Sequence, residues 1–169
     1  MDAPPGVLEP CYVGTVGESS SQAGSHRVPA RRLVIGLLVL AACMIAAYWL
    51  VWFFVDRSLL ATESRPAYYE HEQSFVLADA WLAVCCVLGA VALARCHSTA
   101  LFWVVAGGAS GLYLGCMDAL YDVTHNDWFG AGASGYVELG IVILTWGISL
   151  ALMGWVWSNR GAILGSGQS

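Results

Sequence analysis

The sequence predicts an all-α integral membrane protein: a four-helix bundle of four transmembrane helices with both termini in the cytoplasm. Three observations carry this reading. Four runs, 33–55, 75–94, 100–121 and 135–157, are apolar almost throughout. Each reaches the ~20 residues that a helix needs to cross roughly 30 Å of hydrocarbon. Only 11% of the residues are charged and mean hydropathy is +0.65, whereas soluble domains average about 25% charged. The runs are also continuous, while the strands of a membrane barrel alternate over about 10 residues.

Residues 1–32 are rich in Pro, Gly and Ser without apolar periodicity, which predicts a disordered cytoplasmic tail. The first span, 33–55, contains no acid and ends in Trp49, Trp52, Phe53 and Phe54. Within it, Leu40-Ala41-Ala42-Cys43 resembles the lipobox of a bacterial lipoprotein. The chain stays apolar from Met44 to Trp52 where a lipoprotein has a polar linker, and the preceding tail is long for a signal peptide. The stretch therefore reads as a span and not as a cleaved leader.

The loop that follows carries Glu70, His71 and Glu72. The second span, 75–94, opens with Asp79 one turn inside and holds Cys85 and Cys86 as small apolar fillers. Arg95 marks a short link. The third span, 100–121, repeats Gly107-x-x-x-Gly111-x-x-x-Gly115, a smooth face on which another helix can pack closely. Gly140, Gly147 and Gly154 in the fourth span, 135–157, offer the matching stripe, with a homodimer interface as the alternative use. Residues 158–169 read as a short Gly/Ser tail on the cytoplasmic side.

Orientation follows from the arginines. Arg27, Arg31, Arg32, Arg95 and Arg160 lie on one side of a four-pass topology, and Arg57 and Arg65 on the other, so the first side is cytoplasmic. Every basic residue is an arginine, and Ala, Gly and Val abound, which fits a GC-rich bacterial genome and hence a bacterial plasma membrane.

Asp79, Asp118 and Glu138 all fall about one turn, roughly 5 Å, inside the outer ends of three spans. A carboxylate at mid-membrane costs about 2.5–3.5 kcal/mol and less near the interface, so these acids should face inward at a shared depth. Helix dipoles favour Asp79 and Glu138 near helix N-termini and oppose Asp118 near a C-terminus. Asp118 thus needs a partner: Arg57, Arg65, His71, His125, or a proton shared with a neighbouring carboxylate. If the third helix continues past Tyr121, then Asp118, Asp122 and His125 form one stripe. The expected site is Asp79, Asp118, Asp122, His125 and Glu138, with Glu70, His71, Glu72 and Tyr121 contributing.

Oxygen ligands with a histidine suit a divalent metal, but Glu-x-x-His and His-Glu-x-x-His are absent, so metal binding stays open. The cysteines at 11, 43, 85, 86, 96 and 116 form neither a C-x-x-C nor a Cys/His zinc pattern. No cofactor is implied. Nine outer carboxylates against two arginines leave a formal charge of −7 on that half, a field that concentrates cations. The reading is a non-enzymatic membrane protein whose outward acidic pocket binds a proton, cation or small cationic ligand in transport. The alternative is an accessory or structural subunit of a membrane complex. An enzyme would have to use a carboxylate pair and His125 as acid and base, and no nucleophile motif supports one. Expected partners are the lipid bilayer and a second copy or another membrane protein, not nucleic acid.

Overall fold

In hydrocarbon, backbone polar groups must be satisfied within their own segment, and each apolar run is accordingly a helix. The computed structural model describes residues 28, 30–56, 66–125, 128 and 133–165. Helix α1 spans Arg31–Phe54, α2 Pro66–Ser74, α3 Val76–Ala94, α4 Ala100–His125, α5 Ala133–Ser158 and α6 Arg160–Gly165. The described residues contain no strand. Helices α1, α3, α4 and α5 are long and apolar enough to cross a membrane. Large apolar side chains such as Leu40, Leu77, Ile141 and Leu144 are exposed on the outside of the bundle, as lipid solvation requires.

Packing follows chain order, α1 on α3, α3 on α4 and α4 on α5. The buried core draws on Val34 and Leu38 of α1, Cys86 and Leu93 of α3, Val104 of α4 and Val156 of α5. It lies toward the end of the bundle that carries Arg31, Arg95 and Arg160. Cys85 and Cys86 are 0% and 4% exposed in this interior, as expected of apolar fillers. Cys43 sits exposed within an uninterrupted α1.

The glycine stripe of α4 serves two neighbours. A methyl at Gly107 would meet Cys85 of α3, whereas methyls at Gly108, Gly111 and Gly115 would meet Met153, Ser149 and Trp146 of α5. Eight residues of α-helix rotate the face by roughly 80°, enough for a central helix to address both sides. The expected partner stripe is corrected: Gly140, Gly147 and Gly154 have nothing within 4 Å of an added Cβ. On α5 the surface facing α4 is built from Thr145, Trp146, Ser149 and Met153 instead.

Between α3 and α4 the chain turns through a Schellman motif, in which Cys96 N–H donates to Leu93 O at 3.1 Å and His97 N–H to Ala92 O at 2.8 Å. Cys96 occupies the left-handed position at φ 54°, usually glycine's, and is disulfide-bonded. Arg31 Nη2 donates to Ala94 O at 3.1 Å, placing a cation on the last carbonyl of α3.

Two short helices were not expected. Pro66 begins α2, where its missing N–H goes unneeded. Residues of the supposed C-terminal tail form α6, and its Ile163, 5% exposed, joins the core. The apolar Ala162-Ile163-Leu164 run a few residues after a span is the signal that was overlooked. The expected tail over 1–32 lies outside the described residues except at its end, where Arg31 and Arg32 begin α1.

Candidate functional site

The end of the bundle opposite the arginines collects carboxylates from four helices: Glu72 of α2, Asp79 of α3, Asp118 and Asp122 of α4, and Glu138 of α5. Asp118 is half-buried and lies within electrostatic reach of Glu72, Asp122, Asp79 and Glu138, in decreasing order of strength. Every one of these neighbours repels a charged Asp118. The described arginines, Arg31, Arg32, Arg95 and Arg160, all stand at the other end.

Neutral aromatic donors hold three of the acids. Tyr48 of α1 donates from its hydroxyl to Glu72 Oε2 at 2.9 Å. Trp49 Nε1 donates to Asp79 Oδ2 at 3.0 Å. Trp128 Nε1 donates to Asp122 Oδ2 at 2.7 Å, and Asp122 is only 2% exposed. Indole and phenol hydrogens fix a carboxylate's position but leave its net charge in place. These three bonds therefore add no positive charge to the cluster.

Stacking orders the donors. Tyr48 lies on Trp52 with centroids 5.9 Å apart, Trp49 on Phe53 at 5.7 Å, and Trp52 meets Tyr69 of α2 at 5.8 Å. Two buried indole nitrogens, Nε1 of Trp52 and of Trp146, have no hydrogen-bond acceptor among the described residues. An added methyl at Gly115, one turn along α4 from Asp118, would stand 2.7 Å from that Trp146 nitrogen. Buried donors of this kind are costly unless a polar atom reaches them.

The structure corrects the helix-dipole argument on two acids. Asp79 does lie in the first turn of α3. Helix α5 begins at Ala133, so Glu138 falls beyond its first turn, and α4 runs on to His125, so Asp118 falls before its last. Dipole effects fade within one turn, and the like charges around Asp118 outweigh them. Asp122 occupies the last turn instead, where the Trp128 hydrogen bond holds it.

The stripe of Asp118, Asp122 and His125 is helical as anticipated, but His125 does not join the acids. It is exposed, its ring stacks on Tyr121 at 4.2 Å and its Nδ1 lies 2.9 Å from Tyr121 O. Tyr121 is thus engaged with His125. Glu70 is exposed on α2. The side chains of His71, Arg57 and Arg65 lie outside the described residues. Among the described residues, no three His, Cys, Asp or Glu side chains are grouped so as to hold a metal ion.

Tyr48, Trp49 and Trp128 were missed as positioning residues, because tryptophans near a span's end read as an interface belt. Their N–H and O–H groups, which need acceptors when buried, were the available signal. A separate cavity of about 320 Å³ between α3 and α4 is lined by Ala78, Trp81, Ala109, Ser110, Tyr113 and Leu114. It is almost wholly apolar, and the Ser110 hydroxyl already donates to Ala106 O at 2.9 Å. No known protein family matches this chain, and no curated protein or solved structure does.

Proposed function

We propose that the protein is a multi-pass protein of the bacterial plasma membrane whose acidic end faces outward and binds a proton or a small organic cation as a step in transport. One observation carries the reading: Asp118 is half-buried among four further carboxylates, while the described arginines stand at the opposite end. Mutual repulsion of this kind is relieved when a positive charge enters. The spread of the carboxylates and their neutral aromatic donors favour a diffuse positive charge over a chelated metal ion, and aromatic faces beside carboxylates add attraction for an organic cation.

Binding is tested on the purified full chain in detergent by thermal melting with tetraethylammonium chloride against sodium chloride at equal ionic strength. Tetraethylammonium should raise the melting temperature of the parent and not of Asp118→Asn, since a ligand stabilises only the state that binds it. Equal melting in both salts, repeated across pH 5 to about pH 8 without a parent-specific shift, overturns the reading.

A second reading, an accessory subunit of a membrane complex, is favoured by the open face of α5 at Gly140, Gly147 and Gly154. Crosslinking from Gly147→Cys to a second chain in native membranes supports it.

A further inference from the structure

We propose that the corner formed by the start of α1 and the end of α3 is a binding site for the phosphate headgroup of an anionic phospholipid, held by Arg32 and Arg95. The described charges are fully separated along the bundle. Arg31, Arg32, Arg95 and Arg160 lie at one end, and Asp56, Glu70, Glu72, Asp79, Asp118, Asp122 and Glu138 at the other. No described acid is therefore near enough to neutralise the arginine end.

The start of α1 and the end of α3 meet at one corner. The hydrogen bond from Arg31 Nη2 to Ala94 O, 3.1 Å long, ties the first residue of α1 to the residue before Arg95. Arg32 follows in the chain. Arg32 and Arg95 are exposed, and neither guanidinium has a partner among the described residues. Arg160 differs, because its guanidinium lies 4.7 Å from the centre of the Trp157 ring and donates to Trp157 O at 2.8 Å. Among the described residues, the unpaired guanidinium groups of this end are thus those of Arg32 and Arg95, at the α1/α3 corner.

Local backbone adds to the demand for an anion. Ala30, the N-cap of α1, supplies no side-chain hydrogen bond, and the first turn holds no acid. Arg32 there stands against the positive end of the helix dipole, an arrangement that a phosphate relieves. Guanidinium pairs match phosphate oxygens geometrically.

The surface below the arginines suits a lipid tail. Leu33 is 64% exposed beside Arg32, and Val91, 41% exposed, lies one turn before Arg95 on the same face of α3. A headgroup at the guanidinium groups would set its acyl chains along these side chains. That combination selects a phospholipid over a free anion.

The test uses the full chain in a non-ionic detergent, titrated with dioleoyl phosphatidylglycerol or dioleoyl phosphatidylcholine and read by native mass spectrometry. Each arginine near an anionic headgroup contributes about fivefold, so the two unpaired ones should make phosphatidylglycerol bind roughly 25-fold more tightly. Arg32→Gln with Arg95→Gln should abolish the preference, and Arg160→Gln should keep it. Arg32→Lys with Arg95→Lys, which retains the charge and guards against a fold defect, should keep most of it. Equal binding of the two lipids by the parent overturns the proposal. So does an equal loss in Arg160→Gln, which would show a diffuse charge effect. Displacement of the lipid by millimolar inorganic phosphate overturns it as well, because the site would then be one for a free anion.

Discussion

Adding one methyl group at Gly115 should destabilise the bundle more than the same change at Gly107 or Gly111. The new Cβ would stand 2.7 Å from Trp146 Nε1 and 2.9 Å from its Cδ1. Carbon contacts settle near 3.5–4.0 Å, so the indole must withdraw by about 1 Å. A rigid bicyclic ring held between helices cannot do so locally, and overpacking of this type costs about 1–3 kcal/mol. Gly115→Ala should fall in the upper half of that range. At Gly111 the clash is with the Ser149 hydroxyl at 2.5 Å, which another rotamer relieves, so Gly111→Ala should cost about 1 kcal/mol. Ser149→Ala removes that oxygen, and the next neighbours of the Gly111 methyl then lie at 3.8 and 3.9 Å, ordinary contact distances. The double variant should accordingly recover most of the loss, a coupling of about 0.5–1 kcal/mol. Gly147→Ala, with nothing within 4 Å, is the control and should be neutral or mildly stabilising. Unfolding free energies in bicelles, measured by titrating a denaturing detergent and following circular dichroism, provide the assay. Additivity of Gly111→Ala and Ser149→Ala, or a Gly147→Ala loss as large as that of Gly115→Ala, would show that α4 and α5 meet through other faces.

Further outcomes follow from the acidic end and from topology. Asp118→Asn removes one of five mutually repelling charges and should leave the bundle as stable as the parent or more so in low salt, with the gain shrinking in high salt. A loss of several kcal/mol in equilibrium unfolding would instead reveal a cationic partner. Trp128→Phe deletes the 2.7 Å hydrogen bond to a carboxylate that is 2% exposed, and should cost about 1.5–3 kcal/mol by the same measurement. Attachment of a membrane-impermeant maleimide to Ser64→Cys but not to Ser98→Cys in intact cells supports cytoplasmic termini, and the reverse pattern inverts the topology. Cys96 supplies an independent check, since a disulfide at the arginine end should be found reduced in the cell if that end is cytoplasmic. Acid-quenched thiol trapping that finds it oxidised would place that end outside.

The number, length and type of the spans were legible in the residues, because a helix in lipid depends on local apolarity and on its own backbone bonds. The convergence of Asp79, Asp118 and Glu138 near one end was legible for a similar reason: three acids at one depth in adjacent helices have few places to go. Which faces meet was not legible. Gly107, Gly111 and Gly115 announce a close approach, but only the position of α4 between α3 and α5 divides them between two partners and leaves Gly140, Gly147 and Gly154 facing outward. Hydrogen-bond partners across helices were equally hidden. Tyr48 to Glu72 and Trp49 to Asp79 join residues 24 and 30 apart in the chain, and such pairs depend on helix rotation and tilt. His125 shows the limit from the other side. Its spacing puts it on the stripe of Asp118 and Asp122, yet its exposed ring stacks on Tyr121 of its own helix. Apolar run length and charge placement along the chain determine that the molecule is a helical bundle with an acidic and a basic end. Rotation of each helix about its axis, set by packing of side chains distant in sequence, decides which acids share a site and what holds them there.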